Sequence, residues 1–397
     1  MGSSALKWVG LGLWGLGTIV GGIILLVMFG IAPGKIDPFD YYFALFVSAA
    51  LAFPACFVYL WVPVIIDRYD PEPWYTLALA FLWGAIPACG FSAIINTFNG
   101  AIGGLIAGKE GADFVGAVIS APLVEEFFKG LAVLGMFWFL RREFDGVVDG
   151  VIYATFAALG FAATENVIYY ARSALSGGDS GLIGTFFIRG ILAPWGHPLY
   201  TSMTGIGIGI ARETNKTWLK LLAPVGGYFL AAGLHATWNG SAVLSGWLDF
   251  PLFFLMLPLW FLFVTAFGIV LIFLVRREGK IIRKNLEDEV LLGNLTREEL
   301  DLVCSPVGRL KALFGRGGFK GRRFIDAASR LALSKWHAAR AMQGQKRTIS
   351  ADFIVPMRQE LHKLRAEIQG VQQPPRGPAP GQYPGQGGGY GGGPGYR

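Results

Sequence analysis

The chain has 397 residues, of which 53% are hydrophobic and only 15% charged. Soluble domains run near 25% charged, so this composition excludes an ordinary water-soluble protein and points to a polytopic membrane protein with polar ends. Residues 1–275 carry 12 Lys and Arg against 16 Asp and Glu, a net of −4, whereas residues 276–397 carry 22 against 11, a net of +11. Such a basic end suits the anionic headgroups of a lipid bilayer, and nucleic acid is not an expected partner.

Eight apolar runs, about 8–32, 41–66, 74–98, 115–140, 146–171, 182–211, 218–245 and 250–275, are each long enough to cross a bilayer as a helix. They predict an all-α membrane bundle of about eight transmembrane helices over residues 1–275. Lys7, Arg68, Arg141, Arg142, Arg212, Lys216, Lys220, Arg276, Arg277 and Lys280 collect on one side of an eight-span arrangement. The opposite loops hold Lys35, Lys109 and the boundary Arg172, so the positive-inside rule puts both termini in the cytoplasm. Cys56, Cys89 and Cys304 are scattered and suggest neither a disulfide framework nor a thiolate metal site.

The loop after the second run, Asp67 to Trp74, holds two prolines and reads as a stiff turn ending in interfacial aromatics. The fourth run carries Glu125, Glu126 and Lys129 in the stretch APLVEEFFKG. A carboxylate near a bilayer's centre costs on the order of 3 kcal/mol even on lenient scales, so each acid needs a partner. Glu125 and Lys129, four residues apart with the acid first, are expected to pair. That leaves Glu126 to find a partner elsewhere; a Glu125 held by Lys129 would be the poorer base, and which of the two acids handles water stays open.

The fifth run is thinned by Gly150, Ala154, Ala157, Ala158 and Ala162, which permits close helix approach, and it ends in Glu165 and Asn166. The sixth contains Arg189 and His197 between Pro194 and Pro198, where a kink is expected. The seventh carries His235 and Asn239 on one face, and the eighth has no ionisable group. Beyond it, residues 276–370 read as a basic cytoplasmic helical module, with a capping box at Thr296 to Glu299 and amphipathic helices over 324–342 and 354–368. Residues 371–397 are rich in Gly, Pro, Gln and Tyr, a disordered tail by composition.

At 1.5 Å per residue, Glu125, Glu165, His197 and His235 fall roughly 10 to 20 Å below one membrane face, within about two helical pitches of each other. Four helices therefore bring polar groups to one depth. Such a set can activate water through a carboxylate base, with His or Asn stabilising an oxyanion. It can equally bind a divalent metal such as zinc. A membrane transporter or proton-coupled carrier using the same Glu, Lys and His cluster is the alternative, although no internal repeat between residues 1–140 and 141–275 supports it.

The ordered series Glu125-Glu126-x-x-Lys129, Phe161-x-x-x-Glu165-Asn166, His197 and His235-x-x-x-Asn239 resembles the PrsW family of bacterial intramembrane proteases, which is related to the CAAX-type membrane endopeptidases. The resemblance covers roughly residues 41–240. It implies a peptidase of the bacterial plasma membrane that hydrolyses a membrane-protein substrate, with an anti-sigma factor in a stress response as the family's best-known one. It further implies that Glu125, Glu126, Glu165, His197, His235 and Asn239 are catalytic and that Lys129, Asn166 and Phe161 support them. Were the mechanism metal-dependent, Glu165, His197 and His235 would be the ligands. The CAAX-type relatives often have His where this chain has Glu165, and the glutamate and metal mechanisms both stay open.

Overall fold

The computed structural model describes residues 3–369 apart from 142, 251, 306, 316 and 344–348; Arg142 and the tail at 371–397 lie outside the described residues. Among the described residues all regular structure is helical, as an apolar chain must be when its backbone groups cannot bond to water. Six continuous helical stretches are long and apolar enough to cross a membrane: Ala5–Phe29, Pro38–Ile66, Trp74–Phe139, Val147–Glu213, Thr217–Leu248 and Phe254–Leu291.

The third and fourth of these contain 66 and 67 residues. A straight helix of that length would run about 100 Å, three times a bilayer core. Each instead doubles back at a glycine. Gly108 has φ 61° and ψ −148°, and Gly178 has φ 60° and ψ −150°, a region of backbone space open essentially to glycine alone. Side chains beyond each reversal meet residues before it: Asn99 Nδ2 donates to Ser120 Oγ at 2.9 Å, and Thr185 Oγ1 to Ser173 Oγ at 2.8 Å. The chain thus makes the eight expected passes in six stretches, two of them hairpins.

The elements are α1 (Ser3–Phe29), α2 (Pro38–Tyr59), α3 (Trp61–Ile66), α4 (Trp74–Trp83), α5 (Cys89–Asp113), α6 (Ala121–Phe139), α7 (Val147–Phe186), α8 (Gly196–Glu213), α9 (Thr217–Leu248), α10 (Leu252–Leu291), α11 (Arg297–Val303), α12 (Gly308–Phe314), α13 (Gly318–Gln343) and α14 (Ile354–Gln369). Widened π-helical turns at Gly84–Ala88, Phe114–Ser120 and Phe187–Leu192 join α4 to α5, α5 to α6 and α7 to α8. The expected break in the sixth pass falls at Ala193 to Trp195, after which α8 restarts at Gly196.

The first arm of α7 is the axis of the bundle. In its stretch, 94% of the most apolar window is buried, against 6% to 17% for α1, α2, α9 and α10, whose faces are left to lipid. The alanines and glycines of α7 make this possible. A Cβ on Gly150 would lie 2.2 Å from the carbonyl oxygen of Gly205, and one on Gly205 equally close to that of Gly150. At that contact only glycine lets the α7 and α8 backbones touch.

Two compact units divide within α10, at Ile282 and Arg283. The second has its own core of Leu286, Leu300, Val303, Ile325, Ala328, Leu331, Leu361 and Leu364. Thr296 caps α11, its hydroxyl accepting from Glu299 N at 3.1 Å while the Glu299 carboxylate accepts from Thr296 N at 2.8 Å. The fully buried Glu289 accepts from Lys335 Nζ at 2.7 Å, Arg358 Nη2 at 2.6 Å and Asn294 Nδ2 at 2.7 Å. A buried carboxylate needs such saturation, since losing one cation would strand a charge in the core.

Candidate active site

The run Ala121 to Lys129 forms the first turns of α6 with Pro122 where no helical N–H is required. Glu125, Glu126 and Lys129 are all buried on it. The expected pairing of residues four apart is present, with Lys129 Nζ 3.8 Å from Glu125 Oε2, but the closer contact is to the neighbouring acid: Lys129 Nζ donates to Glu126 Oε1 at 2.6 Å. Glu126 is then saturated: Thr201 Oγ1 donates to its Oε2 at 2.8 Å, and His235 Nδ1 to its Oε1 at 3.0 Å. The reason is tertiary. α8 and α9 both send a donor to the Glu126 side of α6, and Lys129 follows the carboxylate fixed there. Its ammonium also lies 4.4 Å from the centre of the Phe161 ring, a cation–π contact in a dry interior.

Glu125 faces the other way, into a cavity of about 230 Å³ also lined by Asn96, Glu165, Arg189, His197, Tyr200, His235 and Asn239. Asn96 Nδ2 donates to Glu125 Oε1 at 3.2 Å, and Ser120 Oγ in turn donates to Asn96 Oδ1 at 2.7 Å. Glu125 Oε2 is buried and has no hydrogen-bond partner.

The second acid of the cavity is held differently. Arg189 Nη2 donates to Glu165 Oε2, and Arg189 Nε to Asn166 Oδ1 at 2.8 Å. His197 Nε2 lies 2.9 Å from the same Glu165 oxygen, while its Nδ1 is 3.1 Å from Lys129 Nζ. An ammonium cannot accept, so His197 accepts at Nδ1 and carries its proton at Nε2. The same reasoning puts the His235 proton on Nδ1 toward Glu126, which leaves an Nε2 lone pair 3.9 Å from Glu125 Oε2. Two acceptors therefore face one another across the buried end of the cavity.

That arrangement tests the metal question on the donor chemistry itself. Ligand atoms of Glu125, His197 and His235 all lie within 4.8 Å of one another. Two of them, Glu125 Oε2 and His235 Nε2, point unspent electron pairs at a common space, and Glu126 holds the other His235 nitrogen as a carboxylate does for a metal-bound imidazole. The donor set fits a divalent cation of the zinc type, with His197 giving up one of its two present contacts. It is Glu125, and not the expected Glu165, that joins the two histidines.

The remaining residues named from sequence divide into two groups. Asn166 and Phe161 act through their contacts with Arg189 and Lys129. Asn239 lines the cavity, and its Nδ2 donates to Ala117 O at 2.9 Å, which ties α9 to the π-turn ahead of α6. Sequence reasoning did not assign Asn96, Thr201 or Arg189 to the site. Each had a signal: Asn96 is a polar residue inside an apolar span, Thr201 lies four residues after His197, and Arg189 is an intramembrane cation requiring an anion.

Comparison with known proteins matches the segment that carries the cavity. A family profile described as "PrsW family intramembrane metalloprotease" matches residues 72–268, which include every residue of the cavity. Over these residues the chain matches the PrsW family. It is 28% identical to the protein named Protease PrsW of Geobacillus kaustophilus over 163 residues, which are 40% of this chain and 66% of that protein. The Protease PrsW of Oceanobacillus iheyensis is 28% identical over 35% of this chain and 59% of its own length. That of Bacillus subtilis is 26% identical over 49% and 83% respectively. The chain thus spans less than two thirds of the length of the Geobacillus and Oceanobacillus relatives. No solved structure matches it significantly.

Proposed function

We propose that the protein is an intramembrane endopeptidase that hydrolyses a peptide bond of a membrane-protein substrate, with Glu125 as the carboxylate that handles water. The observation that carries this reading is Glu125 Oε2, which accepts no hydrogen bond, facing the His235 Nε2 lone pair across 3.9 Å in a polar cavity. A water molecule donates to both acceptors. Glu125 takes one of its protons as the oxygen attacks the scissile carbonyl, and the protonated carboxyl then gives that proton to the leaving amine. The second amide N–H of Asn239 would stabilise the oxyanion, and Arg189 holds Glu165 so that it orients His197. Glu126 and Lys129 act one layer back: they fix His235 and compensate each other's charge.

Glu125, His197 and His235 would hold a divalent metal such as zinc. Bound there, it would supply Lewis acidity and an acidified water. Both termini and the basic module are assigned to the cytoplasmic side by the distribution of Lys and Arg, with the module against anionic headgroups. A single-span anti-sigma factor is the substrate to try first, by analogy with the family.

The test compares membrane proteomes of cells carrying the wild type and Glu125→Gln. Peptides released only by the wild type, and lost in both Glu125→Gln and His235→Ala, support the reading. Unchanged cleavage of a verified substrate by both variants overturns it, and ion flux into proteoliposomes that depends on Glu125 without proteolysis would establish a carrier instead. Chelation followed by metal add-back on purified protein separates the two forms of the mechanism.

A further inference from the structure

Helix α12 is packed with its small side inward. Gly308 and Ala312, four apart, are buried, and Gly321 sits so close that a Cβ there would lie 2.9 Å from the Ala312 carbonyl oxygen. The opposite face carries the large apolar groups. Val307, Leu310 and Phe314, at helical spacing, are 45%, 56% and 84% exposed, and Phe319 at the start of α13 is 67% exposed. In water this is the wrong way round for a seven-residue helix, because the residues with most to gain from burial are the ones left out.

The charge around this face has one sign. Between Asp301 and Asp326 the sequence contains Arg309, Lys311, Arg316, Lys320, Arg322 and Arg323 and no acidic residue. Lys311, Lys320, Arg322 and Arg323 are exposed. Lys320 and Arg323 make ion pairs with Glu367 at 3.3 Å and Glu360 at 2.7 Å, which turns part of the charge toward α14. Exposed aromatic and aliphatic side chains interleaved with Lys and Arg are the signature of a segment lying in the plane of a membrane interface, not of one crossing it.

We infer that α12 and the start of α13 form an interfacial membrane anchor. Val307, Leu310, Phe314 and Phe319 enter the boundary between headgroups and acyl chains, and Lys311 and Arg322 meet anionic lipid phosphates. The occupant of the apolar face is therefore the bilayer that already holds the spans. The inference rests on the reading of the basic module as facing anionic headgroups. It is independent of the protease assignment, because its test reads depth and not cleavage.

The experiment uses the full chain in lipid nanodiscs, with Cys56, Cys89 and Cys304 replaced by serine and a nitroxide attached at F314C. Accessibility to oxygen, which concentrates in lipid, is compared with accessibility to a water-soluble nickel chelate. In nanodiscs containing phosphatidylglycerol the label at 314 should be oxygen-accessible and several-fold protected from nickel, while a label at K363C should stay in water. Lys311→Glu with Arg322→Glu should return the 314 label to water, each lost lipid contact weakening the insertion about five-fold. Nickel accessibility at 314 equal to that at 363 in anionic nanodiscs overturns the proposal. So does protection that is unchanged between phosphatidylglycerol and pure phosphatidylcholine and survives the charge reversals, since that would indicate a protein contact.

Discussion

Lys129 Nζ stands 2.6 Å from Glu126 Oε1 and 3.8 Å from Glu125 Oε2, so the lysine neutralises the second glutamate of the pair and leaves the first to the cavity. The two acids are adjacent in sequence and opposite in circumstance. Lys129→Met would strand the Glu126 charge in the interior, at a cost of about 3–5 kcal/mol. Adding Glu126→Leu to it should recover part of that loss, because both charges are then gone. Thermal unfolding of the single and double variants in one detergent measures this, and equal melting temperatures would show that the two groups are not coupled.

Glu125→Gln should behave in the opposite way. Its Oε2 has no hydrogen bond to lose, Lys129 keeps its closer contact with Glu126, and a glutamine can still accept from Asn96, so unfolding should shift by less than about 1 kcal/mol while cleavage is abolished. A large loss of stability in this variant would mean that Glu125 is a structural residue and not the carboxylate in charge of water.

Arg189 and Glu165 form the other buried pair, and their geometry argues against simple exchange of the cation. Arg189 reaches Glu165 and Asn166 through two different nitrogens, which a lysine's single ammonium cannot reproduce. Arg189→Lys should therefore keep most of the stability but loosen His197, lowering kcat more than it raises KM. A change confined to KM would instead place Arg189 in substrate binding.

How much of this was legible follows from particular residues. The matching depth of Glu125, Glu165, His197 and His235 could be counted from the sequence because helical rise is uniform, and the four do line one cavity. The partner of Lys129 could not. Residues three and four away share its helical face, and the choice between them is made by Thr201 and His235, which arrive from other helices. For the same reason the sequence does not show that Glu165, beside His197, also takes up Arg189 from the same helical stretch. The apolar runs correctly indicated eight passes. That four of them are two hairpins turning on Gly108 and Gly178 depends on positive-φ backbone, and 56 glycines offered no way to single out these two.

The reversal at Gly178 gives a backbone prediction. Its φ of 60° with ψ of −150° is strained for any residue with a Cβ, although no neighbouring atom would obstruct one. Gly178→Ala should cost about 1–3 kcal/mol through conformation alone. Gly177→Ala, next in sequence and equally unobstructed, should be close to neutral. Similar losses for both would show that the turn is not fixed at Gly178.

Glu72, in the turn ahead of α4, makes stability depend on pH. Burial first, then the negative charges of Asp149 and Asp67, hold its carboxyl well above the usual carboxylate range. Tyr153 Oη donates to Glu72 Oε2 at 2.5 Å. In the folded protein Glu72 keeps its proton at a pH where the unfolded chain has already released it. The folded state then binds more protons, so stability must fall as pH rises from the unfolded value of about 4.3 toward the raised folded one, by up to about 1.4 kcal/mol per pH unit. Glu72→Gln keeps an oxygen acceptor for Tyr153 and removes the titration. Melting temperatures measured from pH 5 to pH 8 should decline less steeply in this variant than in the wild type, and parallel curves would mean that Glu72 is ionised in the fold.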